Sequence, residues 1–432
     1  MAFTTAVAAR APEGGRASPI RAPRGTFDVL PDDAAQRGAL ERHAAAILGA
    51  AGFRRIETPV FESTELFARG VGEATDIVRK EMYSFDDGGG RSLTLRPEGT
   101  APVCRAYIEH GMHKLPQPVK LWYLSSFFRA EAPQRGRYRE FWQVGAEVIG
   151  SAAAETDAEL ILLLAELYAA VGVGDLRLRL SSLGTPETRA AYREELVHYL
   201  HAHEDRLSTE VRERIDANPL RAFDASDGGT REVMRGAPTL LDRLSGEDAA
   251  HFERVRHLLD EAGLAHEVDP TLVRGLDYYT RTLFEFESGR LGAQSSPGGG
   301  GRYDRLIEQL GGPPTPASGW AAGVERMLLA SDQLPVPPHH PDLYVAFAEP
   351  EGIDAAFTLA WRARRAGLSA QFEQAERSLK GQLRHADRIG ARYLAIVTAK
   401  GQVNLKDMRS GEQQETDADA VVASIKRELE GS

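Results

Sequence analysis

The stretch Leu272–Phe286, LVRGLDYYTRTLFEF, places an arginine, an aspartate and two adjacent tyrosines (Arg274, Asp277, Tyr278, Tyr279) at the head of an aromatic, strand-like run. A strand that only packs has no use for that mixture. A guanidinium forks onto carboxylate or phosphate oxygens, while phenols and a carboxylate supply donors and acceptors for a polar side group. These residues could therefore hold a small molecule with one anionic end and one hydrogen-bonding end. Two plainer roles stay open: an ion pair between Arg274 and Asp277 at a strand end, and amphipathic packing of the tyrosines.

Two further stretches carry the same kinds of group. LRPEGT at 95–100 and FFRAEAPQRGRYREFWQVGAE at 127–147 set carboxylates, arginines and an amide beside proline and glycine. Residues 119–149 read as two long strands joined by the polar loop APQRGRY. Alternate side chains of a strand point to opposite faces, so Trp142, Val144, Ala146 and Val148 predict a core face. Gln143, Gly145 and Glu147 then share the other face, with amide and carboxylate about 13 Å apart at a strand's rise. A solvent-washed strand would show the same alternation, and Glu98 after Pro97 could be no more than a helix-start acid.

Familiar nucleotide and metal signatures are missing: GxxxxGK[ST], GxGxxG after a strand and HExxH do not occur. Cys104 is the only cysteine, which excludes an intrachain disulfide and a multi-cysteine zinc site and is compatible with a reducing cytoplasm. A chain of this kind that handles ATP must rely on positioning and charge neutralisation, for which arginines are suited.

The elements that must hold these groups exceed one core. At roughly 100–200 residues per domain, a 432-residue chain predicts two to three domains. Its 42% hydrophobic and 27% charged content is that of a globular protein, and the apolar run Leu160–Val173, broken by Glu166, is shorter than the roughly 20 residues of a membrane helix. No membrane span is expected. Helical spacing of Leu40, Ala44, Ile47, Leu48 and Ala51 predicts a helix over 32–51, and Pro59 places the strand-like 53–62 at a sheet edge or bend. Thr185-Pro186-Glu187 opens a helix, and the charged helical pattern up to Gly263 reads as a helical insertion, 184–263. Four prolines at 335–341 mark a linker. Beyond it, strands at 343–347, 369–372 and 393–397 alternate with helices and end in a polar hairpin near Arg409 and a last helix, which predicts an α/β domain at 342–432 with a parallel or mixed sheet. Residues 1–24, rich in Ala, Arg and Gly, read as a disordered tail and not a secretory signal. The net charge is −11, yet 361–392 holds eight basic residues against three acids, either a solvated helix face or a nucleic-acid surface.

Together with AAGVERMLL at 321–329, the quoted motifs resemble the histidyl-tRNA synthetases from about Arg24 to the end of the chain. The resemblance implies an α+β catalytic domain, 25–334, built on a class II antiparallel sheet flanked by helices, and a separate α/β anticodon-binding domain. It implies activation of L-histidine by ATP, with Mg2+, to histidyl-adenylate and pyrophosphate, then transfer to the 3′ end of histidine tRNA. Arg129 would contact the α-phosphate and the substrate carboxylate, with Glu131 beside it. Arg274 would serve the α-phosphate during adenylate formation, and Arg326 the adenine and γ-phosphate. Glu147 and Tyr279, with Tyr278 beside them, would satisfy the two imidazole nitrogens, which offer one donor and one acceptor. Glu98, Gly99, Thr100 and Gln143 would bind the amino-acid end of histidine. Gly298–Gly301 resembles a glycine-rich wall of the site, although four glycines also suit a flexible loop. Gln134 would read the extra 5′ guanosine of histidine tRNA, and Arg135, Arg137 and Arg139 would meet phosphates. Ala132, Trp142 and Arg305 depart from the family pattern. A homodimer, meeting near the segment that ends at Pro59, and a cytoplasmic location are also implied. The rival expectation is a non-catalytic, histidine-binding regulatory paralogue of this family, which acts on ATP phosphoribosyltransferase and generally lacks the anticodon domain.

Overall fold

The computed structural model describes residues 19–72, 75–272, 275–332, 334 and 340–430, and the chain divides into two units, Met1–Pro335 and Val336–Ser432. The first contains α1 (Pro31–Ala50), β1 (Arg54–Arg55), β2 (Phe61–Ser63), α2 (Thr64–Val71), β3 (Tyr83–Asp86), β4 (Ser92–Leu95) and α3 (Thr100–Glu109). Then come β5 (Val119–Phe128), β6 (Glu140–Ile149), α4 (Ala154–Ala170), β7 (Leu176–Ser182), α5 (Pro186–Ala202), α6 (Thr209–Arg212), α7 (Gly228–Met234) and α8 (Gly246–Glu261). The unit closes with β8 (Glu267–Val268), β9 (Thr280–Ser288), β10 (Gly298–Arg302), α9 (Leu306–Gln309), β11 (Ala317–Gly323) and α10 (Val324–Ala330).

Eight strands form one sheet in the order β1-β5-β6-β11-β10-β9-β7-β8. From β5 to β7 every pairing is antiparallel, while the two-residue edge strands β1 and β8 lie parallel to their neighbours. Such short edges limit pairing with other chains. The strand expected over 53–62 splits in two. β1 stays on the large sheet, and β2 joins a small sheet of order β2-β4-β3, because Pro59 between them has no N–H to donate to a ladder.

The middle of the large sheet is built from small residues. Gly298–Arg302 is a fully buried central strand rather than a flexible loop. A Cβ on Gly300 would overlap the Gly319 carbonyl oxygen, and one on Gly301 would overlap that of Thr282, so neighbouring backbone forbids side chains here. On β6, Val144, Ala146 and Val148 are fully buried as their parity predicted.

Helices α5 to α8 lie between β7 and β8; α5 to α7 and the turns around them enclose their own core of Tyr192, Leu196, Leu200, Ile215, Val233 and Leu240, while α8 packs against α4, β7 and β9. Each begins on a side-chain cap (Thr185, Ser208, Asp227 and Ser245), which satisfies an N–H the first turn leaves unpaired. The second unit contains β12 (Leu343–Phe347), α11 (Ile353–Arg365), β13 (Ala370–Phe372), α12 (Leu379–Arg388), β14 (Tyr393–Val397), β15 (Gln402–Asp407), β16 (Gln413–Asp417) and α13 (Ala418–Glu430). Its sheet, β13-β12-β14-β15-β16, is mixed: β12 runs parallel to both neighbours and the last two pairings are antiparallel. The tail at 1–18 and the linker at 335–339 lie outside the described residues.

Candidate active site

Glu147 is the centre of a buried polar cluster on β6. Its exposure is 0%, so the strand face predicted to carry it is roofed rather than open. Tyr303 Oη donates to Glu147 Oε2 at 2.5 Å, and Thr100 Oγ1 and Tyr123 Oη donate to Oε1 at 2.8 and 3.3 Å. Burial pushes the carboxyl up to about 8, against these three hydroxyls, which favour the charged form. The result is a carboxyl shifted by burial toward its protonated form and set among phenols, a group that can donate as well as accept.

The space for this cluster comes from absent side chains. Gly319 stands directly opposite Glu147, and a Cβ there would overlap Oε2. Gly145 and Gly99 would each drive a Cβ into the Tyr123 ring. Tyr278 completes the enclosure, its ring 4.8 Å from that of Tyr279 and 5.7 Å from that of Tyr303. Glu98 caps α3, accepting from the N–H groups of Thr100 at 2.7 Å and Ala101 at 2.9 Å; burial raises its carboxyl although those bonds and Arg129 oppose the shift.

An adjoining cavity of about 300 Å³ is lined by Arg129, Glu131, Arg137, Gln143, Glu285 and Arg326 among others. Arg129 Nε donates to Pro97 O at 3.0 Å, and its guanidinium lies 5.2 Å from the centre of the Phe141 ring. An Arg129–Glu131 pair is only marginal at 3.9 Å, because Arg137 takes Glu131 instead. Arg326 bridges two loops by donating to Gly136 O at 3.0 Å and Ser296 O at 2.8 Å. Gln143 Oε1 is buried without a hydrogen-bond partner, an acceptor waiting for a ligand donor. A slightly larger cavity of about 340 Å³ on the insertion, at Ser208, Arg214 and Asp227, contains none of the predicted site residues. Among the described residues no group of three His, Cys, Asp or Glu side chains could hold a metal ion, and no helix is long and apolar enough to cross a membrane.

The structure thus brings Glu98, Gly99, Thr100, Gln143, Glu147, Tyr278, Tyr279, Arg129, Glu131 and Arg326 to one side of the large sheet and its covering helix. Arg274 lies outside the described residues. Gln134 and Arg135 are exposed at the tip of the β5–β6 loop, where Gln134 and Arg137 exchange backbone bonds. Arg139 is occupied structurally, since its side chain donates to the carbonyls of Glu131 and Arg24. Two members of the cluster escaped the sequence reading as ligands of Glu147. Tyr303 lies two residues past the glycine run 298–301, and Tyr123 is revealed only by register, which sets it opposite Gly145.

The model of the histidyl-tRNA synthetase family matches residues 25–327, and that of the anticodon binding domain matches residues 342–428. The chain belongs to the histidyl-tRNA synthetase family. The histidine–tRNA ligase of Thermosynechococcus vestitus is 47% identical over 403 residues, covering 91% of this chain and 93% of that one. That of Halorhodospira halophila is 47% identical over 402 residues, with 92% and 95% covered. The crystal structure of apo S. aureus histidyl-tRNA synthetase superposes with a TM-score of 0.80 at 34% identity, covering 94% of this chain and 100% of the other. The anticodon-binding match at 342–428, together with relatives named histidine–tRNA ligase over more than nine-tenths of the chain, favours the enzyme over the regulator.

Proposed function

We propose that this chain activates L-histidine with ATP and transfers it to the 3′ end of histidine tRNA, with imidazole held at Glu147 and ATP in the arginine-lined cavity. The observation that carries this reading is the fully buried carboxyl of Glu147, met by three hydroxyls, beside a cavity with two motif arginines. A donor–acceptor pair at Glu147 and a phenol suits neutral imidazole, and a substrate without those two nitrogens would leave buried groups unpaired. Such a site discriminates by roughly 10⁴–10⁵-fold.

In the first half-reaction a histidine carboxylate oxygen attacks the α-phosphorus and pyrophosphate leaves. Arg129 neutralises the carboxylate and α-phosphate, Gln143 Oε1 and Glu98 take the α-amino group, and Arg326 meets the adenine and γ-phosphate. Arg274 is assigned to the transition-state charge on the α-phosphate by its motif. Glu131 and Glu285 on the cavity wall would hold magnesium, whose charge would screen the triphosphate. Gln134 and Arg135 are free at the loop tip to meet the tRNA acceptor end, and the second unit holds the anticodon. A homodimer is supported by the exposed Phe61 and Phe85 on the small sheet and Val60 just before it, and the single thiol is compatible with a reducing cytoplasm.

Pyrophosphate exchange into ATP, run with each amino acid separately and without tRNA, tests the reading. Exchange with histidine alone is expected; histidine binding with no exchange would restore the regulatory alternative. Arg274→Ala should depress adenylation far more than histidine affinity, and equal losses in both would remove Arg274 from its assigned place.

A further inference from the structure

Strand β9 reaches the tyrosine pair through an irregularity. Its register with β10 jumps between Gly301↔Leu283 and Arg302↔Thr280, leaving Arg281 and Thr282 unmatched on that side, and Arg281 takes φ +43°. A non-glycine residue in the left-handed region is held there by its surroundings. Here the holder is the insertion. Arg281 Nε donates to Asp248 Oδ1 at 2.9 Å, and Asp248, buried in the first turn of α8, also accepts from Thr185 N at 3.0 Å. Arg189 of α5 donates to the Tyr279 carbonyl at 2.9 Å.

Three residues further along α8, on the same helical face, His251 Nε2 lies 2.8 Å from Asp157 Oδ2. Asp157 is fully buried and binds Arg302, with 2.7 Å between Arg302 Nη2 and Oδ1. Arg302 immediately precedes Tyr303, the closest hydroxyl to Glu147. One turn of α8 therefore grips both tyrosine-bearing segments, through Asp248 to the Tyr278–Tyr279 segment and through His251 and Asp157 to Tyr303.

We propose that Asp248 and His251 are positioning residues for the histidine pocket, so that the helical insertion sets the pocket's affinity for histidine. This rests on the reading of the Glu147 cluster as that pocket. Bulges re-aim side chains beside active sites, and this one is pinned by a charged partner on another element. Neither residue needs to touch substrate.

The test is steady-state pyrophosphate exchange with Asp248→Ala, Arg281→Asn, their double variant, His251→Leu and His251→Gln, with Glu147→Gln as the reference. Asparagine tolerates the left-handed backbone, so Arg281→Asn removes the clamp without adding strain. The histidine KM should rise about tenfold in Asp248→Ala and Arg281→Asn, with ATP KM and kcat within about threefold, and the double variant should be no worse than the poorer single, as expected of one coupled pair. His251→Leu should raise histidine KM and His251→Gln, which keeps a donor for Asp157, should restore it. An unchanged histidine KM in these variants, while Glu147→Gln raises it, would overturn the proposal. An unchanged histidine KM in Glu147→Gln as well would overturn the pocket reading itself, and the proposal with it. Where Asp248→Ala does not fold, Arg281→Asn and Arg189→Met carry the same criterion.

Discussion

At the level of single residues, the proposed pocket turns on the buried carboxyl of Glu147. Its ordinary value of 4.5 rises to about 8 in the folded protein because burial penalises the charge more than three hydroxyls reward it. Between those values the folded chain binds a proton that the unfolded chain has lost. Stability of the unliganded protein therefore falls as pH rises through that window, by about 1.4 kcal/mol per pH unit at most. Glu147→Gln copies the protonated acid, so its thermal midpoint should be flatter than the parent's over the same range; parallel curves would show that Glu147 does not titrate there. The same substitution puts a fixed amide NH2 where one carboxyl oxygen accepts from a hydroxyl, which leaves donors facing each other in the pocket and should lower kcat/KM for histidine by about 10- to 100-fold. Alternation along β6 made Glu147 and Gln143 legible as residues of one face. It could not reveal that the face is covered, or that Tyr123 and Tyr303 supply the hydroxyls, because those contacts cross strands and helices far apart in the chain.

At the scale of elements, the unusual component is a sheet centre made of glycine and alanine. Glycine weakens an isolated strand, so Gly298–Gly301 reads locally as a loop, and only confinement between β9 and β11 makes it a strand. The same confinement separates two substitutions. Gly145→Ala collides with the Tyr123 ring, which can tilt, and should cost about 1–3 kcal/mol while weakening histidine binding. Gly300→Ala collides with the backbone of β11, which cannot tilt away, and should lower the thermal midpoint further. Equal midpoints for the two would mean that the sheet relaxes more readily than its packing implies.

For the molecule as a whole, charge is distributed by unit. The chain carries −11, but α12 exposes Lys380, Arg384 and Arg388 at four-residue intervals on one face. Other basic residues of the same stretch are already engaged, Arg362 by Asp419 and Arg377 by Glu373. Reversing the three exposed charges to glutamate should leave pyrophosphate exchange unchanged, raise the tRNA KM by about tenfold or more, and flatten its dependence on salt. A loss of exchange would instead point to a role in the catalytic unit.

Residue types and their spacing were enough to separate a first unit from a following α/β unit and to mark the stretches rich in arginine, glutamate and tyrosine, because local patterns record periodicity directly; the family, and the roles proposed for those residues, came from the resemblance of the motifs. Tertiary structure alone decided which groups face one another. It made four glycines a central strand, closed a sheet face over Glu147, recruited Tyr123 and Tyr303, and tied a strained arginine to a helix of the insertion. Register, burial and the shifted proton equilibrium arise from packing between distant segments, and no short window of sequence contains them.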